Sequence, residues 1–231
     1  MNNNNLQQIK KNVSVDYKYI CIKKDVFDSS MIYLNYASLK KNKYIEIIYK
    51  SPSVFLEGLF FKTPPISLKD IIIYYKYTQN TNTHNQNTNT HTQNHTQNHT
   101  QVNANYNPTI KLLLNYKDHT PFINILRTID EYISAYINKY AVEIENDLLT
   151  YYNDNRTISS FNYEQIIKFR NTINNTIEIH MKSYLDNVII DMLDKKVDDK
   201  KYIFTFNISN IYFSNNNNLL PLVKCNRCES A

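Results

Sequence analysis

Glycine is almost absent from this 231-residue chain, which contains only Gly58, and tryptophan is absent altogether. The P-loop and the Rossmann phosphate turn each need several glycines, because their backbone approaches the phosphate too closely for a side chain. The sequence also lacks the HExxH motif of zinc proteases and the GxSxG elbow of serine hydrolases. His119 and His180 are isolated in the sequence, and His180 is expected to be a structural imidazole. We therefore expect a protein that is not an enzyme.

Cysteine is scarce as well, and the three cysteines are too few for the framework of a disulfide-rich secreted domain. Cys225 and Cys228 form a CxxC motif, but a structural zinc ion usually needs four ligands. We expect two reduced thiols in a flexible tail of residues 225–231, with no metal site and no other cofactor. A zinc ion shared between two subunits is the alternative.

Long apolar runs are missing from both the N-terminus and the rest of the chain. The first residues, MNNNNLQQIKK, lack the apolar region of a signal peptide. No run approaches the ~18 apolar residues of a transmembrane helix. We therefore expect an intracellular protein that is not secreted and has no membrane partner.

Lysine, asparagine and tyrosine are abundant, with 22 Lys against 4 Arg and 20 Tyr in all. A/T-rich codons explain part of this excess, so the tyrosine count alone does not indicate a binding surface. Residues 1–77 carry 12 Lys against 6 acidic residues, residues 118–199 carry 8 basic against 14 acidic residues, and residues 200–231 carry 4 against 1. The basic terminal thirds predict an anion-binding face, or a dipolar surface that docks within the chain or onto a second copy.

The domain organisation follows from two polar segments. Residues 1–12 are predicted to be a disordered N-terminus, and residues 13–224 a single α+β domain. That domain is interrupted by a disordered low-complexity loop at residues 78–107, whose first 24 residues contain no apolar side chain to offset the entropy of ordering. His91, His95 and His99 recur every four residues there, and repeat expansion explains this spacing better than a metal site does.

Short runs of β-branched and aromatic residues predict a sheet. Gly58 lies inside one of these strands, which indicates a bulge, a bend or a close backbone approach. Residues 202–213 are predicted to be a strand pair. The predicted strands cover residues 17–22, 31–36, 43–50, 54–61, 71–77, 109–116, 176–181, 188–193, 202–213 and 219–224.

Helical spacing of apolar residues predicts one long and one shorter helix. The long helix begins with Thr120 as N-cap and Pro121 in the first turn, and it runs to about Leu149. Its acidic residues are expected on a solvated face, and they are Asp130, Glu131, Glu143 and Glu145. The shorter helix covers Tyr163 to Ile173.

The order of these elements carries a resemblance. Basic aromatic strands come first, and the strand ending in LLLNY leads into the acidic helix. The TIEIHM and VIIDMLDKK strands and the terminal YIFTFNISNIYF and LLPLVK segments follow. This order resembles the OB-fold single-stranded-DNA-binding and related uncharacterised proteins of large nucleocytoplasmic DNA viruses. The resemblance implies an α+β, OB-like fold with a mainly antiparallel β-barrel or curved sheet, and a place in the host cytoplasm, at the viral factory, or in the virion.

Lysine stands next to an aromatic residue repeatedly, and OB-like surfaces bind a strand by combining cationic grooves with aromatic platforms. Codon bias also produces such neighbours by chance. The candidate nucleic-acid-binding residues are Lys18, Tyr19, Lys43, Tyr44, Tyr49, Lys50, Lys62, Tyr75, Lys76, Lys201 and Tyr202. We expect a non-catalytic protein that binds single-stranded nucleic acid, with single-stranded DNA favoured, and that forms homo-oligomers. The alternative is a structural or assembly protein of the virion that acts through protein–protein contacts.

Overall fold

A computed structural model describes residues 21–23, 27–52, 54–75, 108–152, 162–171, 175–196, 199–214 and 218–231. The predicted disordered segments, residues 1–12 and 78–107, lie outside these ranges, as does most of the predicted strand at residues 17–22. The described part of the chain is a mixed α+β structure in which helices pack on one open sheet.

The sheet is largely antiparallel, and its main path runs β1-β2-β11-β12-β10-β7-β6. Only two pairings, β10 with β12 and β8 with β12, are parallel among those that the structure describes. The path has two ends and does not close. The α+β class is therefore confirmed, whereas the OB-like arrangement stays a prediction. The strands are β1 Ile32–Asn35, β2 Tyr44–Lys50, β3 Phe55–Leu56, β4 Leu59–Lys62, β5 Ile66–Ser67, β6 Ile71–Tyr74, β7 Thr109–Asn115, β8 Asn162–Tyr163, β9 Ile167–Asn171, β10 Thr176–Ser183, β11 Lys201–Phe213 and β12 Asn218–Ser230.

Alternation with period two gives the sheet a buried face and a second face that is more exposed. In β2, Ile45, Ile47 and Tyr49 are buried, while the residues between them are only partly buried or exposed. In β7, Ile110, Leu112 and Leu114 are buried in the same way. We call the buried side the inner face and the other side the outer face.

The strands β11 and β12 form the centre of the sheet as a long antiparallel pair. The sequence predicts a strand pair at residues 202–213, but the structure contains one continuous strand there. Strand β12 runs on to Ser230, so the predicted flexible tail at residues 225–231 is wrong. A bulge opposite Thr205 and Phe206 leaves Asn226 outside the register, and Cys225 is fully buried.

Gly58 separates β3 from β4, where the sequence predicts one strand over residues 54–61. Its φ is +114°, a conformation that glycine adopts without strain. A Cβ atom at this position would lie 3.1 Å from the carbonyl oxygen of Ile208 and 3.2 Å from the Cα atom of Ser209. Of the three alternatives that the sequence leaves open at Gly58, the close backbone approach is present, and it is between β11 and the β3–β4 turn.

The helices of the described chain are α1 Leu39–Asn42, α2 Tyr116–Lys139, α3 Ala141–Tyr152 and α4 Asn187–Lys195. The predicted long helix is confirmed in place, but it breaks at Tyr140 into α2 and α3. It also begins earlier, because Asn115 caps it by accepting a hydrogen bond from the Lys117 amide at 2.9 Å. The backbone leaves helical geometry at His119, just before Pro121.

Helix α4 replaces the strand predicted over residues 188–193, which is wrong. The Asp186 side chain accepts a hydrogen bond from the Val188 amide at 2.8 Å and so caps the helix. Ile190 and Leu193, three residues apart, are the buried pair on its core side. A short apolar run fits either a strand or a buried helix face, so periodicity alone does not separate the two.

Strands β8 and β9 replace the predicted helix at Tyr163–Ile173, which is also wrong. Asp130 of α2 accepts hydrogen bonds from the Ile166 amide at 2.8 Å, the Ile167 amide at 3.2 Å and the Tyr163 hydroxyl at 2.7 Å. Asp130 is buried rather than on the solvated face expected for it. Burial raises its pKa to about 6, although these hydrogen bonds act to lower it.

The helices contact the inner face of the sheet. The rings of Phe122 in α2 and Phe206 in β11 meet edge to face, with centroids 6.0 Å apart. Tyr132 and Tyr136 of α2 donate hydrogen bonds to the carbonyl oxygens of β1 residues Ile32 and Leu34, at 2.8 and 2.7 Å. In the described part of the chain, no helix is both long and apolar enough to cross a membrane.

Candidate functional site

A row of side chains crosses the outer face of the sheet, and we call it the cross-strand row. Consecutive members are register partners on neighbouring strands, so they lie on the same face about 4.8 Å apart in the hydrogen-bonding direction. From β4 to β6, the row consists of Phe60, Asn207, Lys224, Lys182, Thr109 and Tyr74. The row crosses β4 and five neighbouring strands of the main path, and each strand contributes one residue to it.

Two lysines occupy the middle of the row. Lys182 of β10 and Lys224 of β12 are direct partners in the short parallel ladder. No described carboxylate forms an ion pair with either lysine. Lys182 is exposed, and the Lys224 ammonium lies 5.8 Å from the centroid of the Tyr184 ring. Like charges on adjacent strands repel each other, so this pair favours a bound anion.

Exposed aromatic rings surround the lysine pair. Tyr74, at the end of the row, and Tyr184, next to Lys224, are both 45% exposed. Phe55 of β3 is 61% exposed, although a phenylalanine ring is ordinarily buried. The outer face therefore combines uncompensated positive charge with accessible rings.

A compact ionic cluster lies beside the row on β7 and β10. The Glu178 carboxylate oxygen Oε2 is 3.0 Å from Lys111 Nζ and 2.9 Å from His180 Nε2. Burial acts to raise the pKa of Glu178, but the hydrogen bonds from His180 and Lys111 outweigh it and the pKa is lowered. The charge of Lys111 is thus balanced, and His180 has the partner expected of a structural imidazole.

Two cavities flank the lysine pair. The first, of about 480 Å³, lies where β10 and β12 separate, and its lining includes Lys182 and Leu222. The second, of about 390 Å³, lies over β2 and β11, and its lining includes Lys224 and Phe55. The two lysines therefore stand between two spaces of the size that small ligands occupy.

Some residues predicted from the sequence do lie on the outer face. Tyr44 of β2 contacts Tyr212, with ring centroids 5.4 Å apart. Lys50 is exposed and is the register partner of Phe55. Lys62 is also exposed, but its ammonium forms an ion pair with Glu229 at 2.6 Å, so its charge is already compensated.

Tyr49 and Tyr202 do not lie on this face, and their assignment as stacking residues needs correction. They are 5% and 3% exposed and belong to the core. The Tyr49 hydroxyl accepts a hydrogen bond from the Asp28 amide, and the Tyr202 hydroxyl contacts the Met192 sulfur at 3.7 Å. Strand alternation turns a tyrosine inward when its lysine neighbour turns outward.

The remaining predicted residues are scattered. Lys43 adopts a left-handed conformation just before β2, and Lys201 is exposed at the start of β11. Tyr75 is exposed after β6, with its hydroxyl 3.4 Å from an Asp194 carboxylate oxygen. Three further predicted residues lie outside the described part of the chain: Lys18, Tyr19 and Lys76.

Sequence reasoning missed Lys182, Lys224, Tyr184 and Phe55. The alternation in TIEIHMKS does indicate that His180 and Lys182 share one face of a strand. The sequence contains no such local signal that Lys224 lies beside Lys182, because their proximity depends on a parallel pairing between β10 and β12.

No group of three or more histidine, cysteine, aspartate or glutamate residues with metal-binding geometry occurs within the described ranges. Burial raises the pKa of both CxxC thiols, that of Cys228 to about 12, so they are protonated at neutral pH. Comparisons of the chain with family models, with curated proteins and with solved structures found no match.

Proposed function

We propose that this protein binds single-stranded nucleic acid, with single-stranded DNA as the expected ligand, across the outer face of its sheet. The observation that supports this most strongly is the Lys182–Lys224 pair, which has no described counter-charge and lies among exposed aromatic rings. The OB-like arrangement expected from the sequence belongs to the same proposal.

The chemistry of the surface fits an unpaired strand. Proteins bind single strands by placing lysines along the phosphates and aromatic rings under the bases. One phosphate beside Lys182 and Lys224 would relieve the repulsion between the two ammonium groups. Tyr74, Tyr184 and Phe55 offer rings to which unpaired bases have access, whereas the bases of a duplex are already stacked on each other.

The exposed acidic residues of helices α2 and α3 lie away from this face. The exposed carboxylates of Glu131 and Glu143 belong to α2 and α3, whose buried residues join the core on the inner side of the sheet. A strand bound on the outer face would therefore avoid them.

The test is a salt-dependent binding titration with a mixed-sequence oligonucleotide of about 20 nucleotides, long enough to cover such a site. Each phosphate contacted on a single strand contributes a slope of roughly −0.7 to the logarithm of affinity against the logarithm of salt concentration. The Lys182→Ala/Lys224→Ala double variant is expected to reduce the steepness by about 0.7, because the two lysines share one phosphate.

The matched control is Lys41→Ala/Lys117→Ala, which removes the same charge from exposed lysines on α1 and α2. The control is expected to leave the slope nearly unchanged. Equal effects of the two double variants would contradict the site. No binding of any oligonucleotide at low salt would contradict the function and favour the assembly-protein alternative.

A further inference from the structure

The cavity of about 390 Å³ beside Lys224 has an unusual lining for a surface that attracts anions. Two carboxylates, Glu46 and Glu57, and two amides, Asn207 and Asn210, face it together with the Phe55 ring. Two groups that only accept hydrogen bonds, the carboxylates of Glu46 and Glu57, therefore lie in a cavity that opens next to Lys224, which forms no ion pair with a described carboxylate. A ligand that fits both features carries a negative group on one side and hydrogen-bond donors on the other.

We propose that this cavity is a base-recognition subsite that prefers bases with an exocyclic amino group, such as cytosine, over thymine and uracil. This inference rests on the proposed function, because the base is delivered by a strand whose phosphate lies at Lys182 and Lys224. Carboxylates accept hydrogen bonds from the cytosine amino group, whereas the corresponding O4 atom of thymine is an acceptor and would face another acceptor.

The backbone fixes the acceptors at the cavity. Glu57 precedes Gly58, whose close approach to Ile208 and Ser209 fixes the β3–β4 turn against β11. The Asn35 amide nitrogen donates a hydrogen bond to Glu46 Oε2 at 3.0 Å, which orients that carboxylate. Glu57 is exposed and is the acceptor most accessible to a ligand.

The Ser209 hydroxyl is a second, independent indication of a ligand. Ser209 is the bulged residue of β11, left out of the register between Ile208 and Asn210. Its hydroxyl oxygen is buried without a hydrogen-bond partner among the described residues, and Ser209 lines this cavity. Buried polar atoms without partners are rare in native proteins and call for an explanation, and a rotation of the Ser209 side chain into the cavity would let a base edge supply the missing partner.

Phe55 completes the subsite as a platform. It lines the cavity, and most of its ring is accessible. Stacking on such a ring is tolerant of base identity, because every base has a π-face. The ring therefore contributes affinity, while the acceptors determine which base is preferred.

The experiment compares the affinities of oligo(dC) and oligo(dT) of equal length, at one salt concentration and above neutral pH. It uses the full chain, the Glu57→Gln variant and the control Glu131→Gln, which changes the same charge on α2. We expect oligo(dC) to bind about tenfold more tightly than oligo(dT), within the range of one specific base contact. Glu57→Gln is expected to bring the ratio close to one, while the control keeps it.

The outcomes separate this inference from the proposed function. If neither oligonucleotide binds, the proposed function fails and the subsite fails with it. If both bind equally to the unmodified protein, the function stands and the subsite is overturned. If the preference persists in Glu57→Gln, the assignment of this cavity is overturned. Phe55→Ala is expected to weaken both ligands by a similar factor, and a change in the ratio instead would overturn the division of roles.

Discussion

Phenylalanine residues have opposite environments on the two faces of the sheet. On the inner face, Phe206 packs edge to face against Phe122 of a helix and is fully buried. On the outer face, Phe55 leaves most of its ring in solvent, near a lysine pair without a described counter-charge. Exposure and charge environment, rather than the abundance of tyrosine and lysine, therefore separate the candidate binding residues from the core residues in this chain.

The largest expected difference between the two faces is in how much a phenylalanine on each face contributes to the free energy of unfolding. Phe206→Ala should lower the free energy of unfolding by about 3–5 kcal/mol, because it leaves a cavity in the core. Phe55→Ala should lower it by less than about 1 kcal/mol, because the ring is exposed. Urea denaturation of the two variants measures both values, and a similar loss in each would abolish the distinction.

The buried carboxyl on the inner side should give stability a pH dependence. Because burial raises the pKa of Asp130 to about 6, the folded state holds this proton more tightly than the unfolded state does. The protonated form is thus favoured by folding, and stability from this group is lost as the pH rises from about 4 to about 6.

Asp130→Asn removes that titration. Between about pH 4 and pH 7, the free energy of unfolding of the unmodified protein should fall relative to that of this variant. The pKa difference sets an upper bound of about 3 kcal/mol on this fall. Chemical denaturation at several pH values measures the gap between the two proteins. A gap that does not change with pH would show that Asp130 titrates normally.

The turn between β3 and β4 should depend on glycine. Gly58→Ala should cost about 1–3 kcal/mol, because the new Cβ would lie 3.1 Å from the Ile208 carbonyl oxygen at a positive φ. Since the turn also positions Glu57, oligonucleotide affinity should fall with stability. A thermal melt identical to that of the unmodified protein would contradict the close approach.

The smallest effect is expected at Lys62, an outer-face lysine whose charge is compensated by Glu229. Lys62→Ala should change stability by less than about 1 kcal/mol, as for other exposed ion pairs. It should also flatten the salt dependence of binding by less than the roughly 0.7 expected for a phosphate contact. If the slope instead becomes flatter by one unit or more, Lys62 contacts the ligand despite its ion pair.

Runs of β-branched and aromatic residues made the strands β2, β7 and β10 predictable. In the structure, each of them buries every second residue over most of its length. Helix α4 was mistaken for a strand, since its apolar run is too short for periodicity to decide. The Asp186 cap was the local signal that could have identified it. Strands β8 and β9 had no comparable local signal. The amides of Ile166, between the two strands, and of Ile167, the first residue of β9, donate hydrogen bonds to Asp130 of the distant helix α2.

The candidate site was less predictable than the fold. The sequence suggested binding residues where a lysine and an aromatic residue are adjacent. Adjacent residues in a strand point to opposite faces, so the two members of such a pair cannot both lie on the outer face. Tyr49 is buried while Lys50 is exposed. The lysines that do meet, Lys182 and Lys224, come from strands that are far apart in the chain, and only the three-dimensional register brings them together.

The most direct test of a binding outer face is photo-crosslinking with an oligo(dC) strand that carries one 5-bromodeoxyuridine, followed by peptide mapping. The proposed function predicts crosslinks at Tyr74, Tyr184 or Phe55, which are the exposed rings near the lysine pair. It also predicts that crosslinking weakens in the Lys182→Ala/Lys224→Ala variant. Crosslinks confined to the α2 and α3 helices, or none at all under conditions of saturating strand, would contradict it.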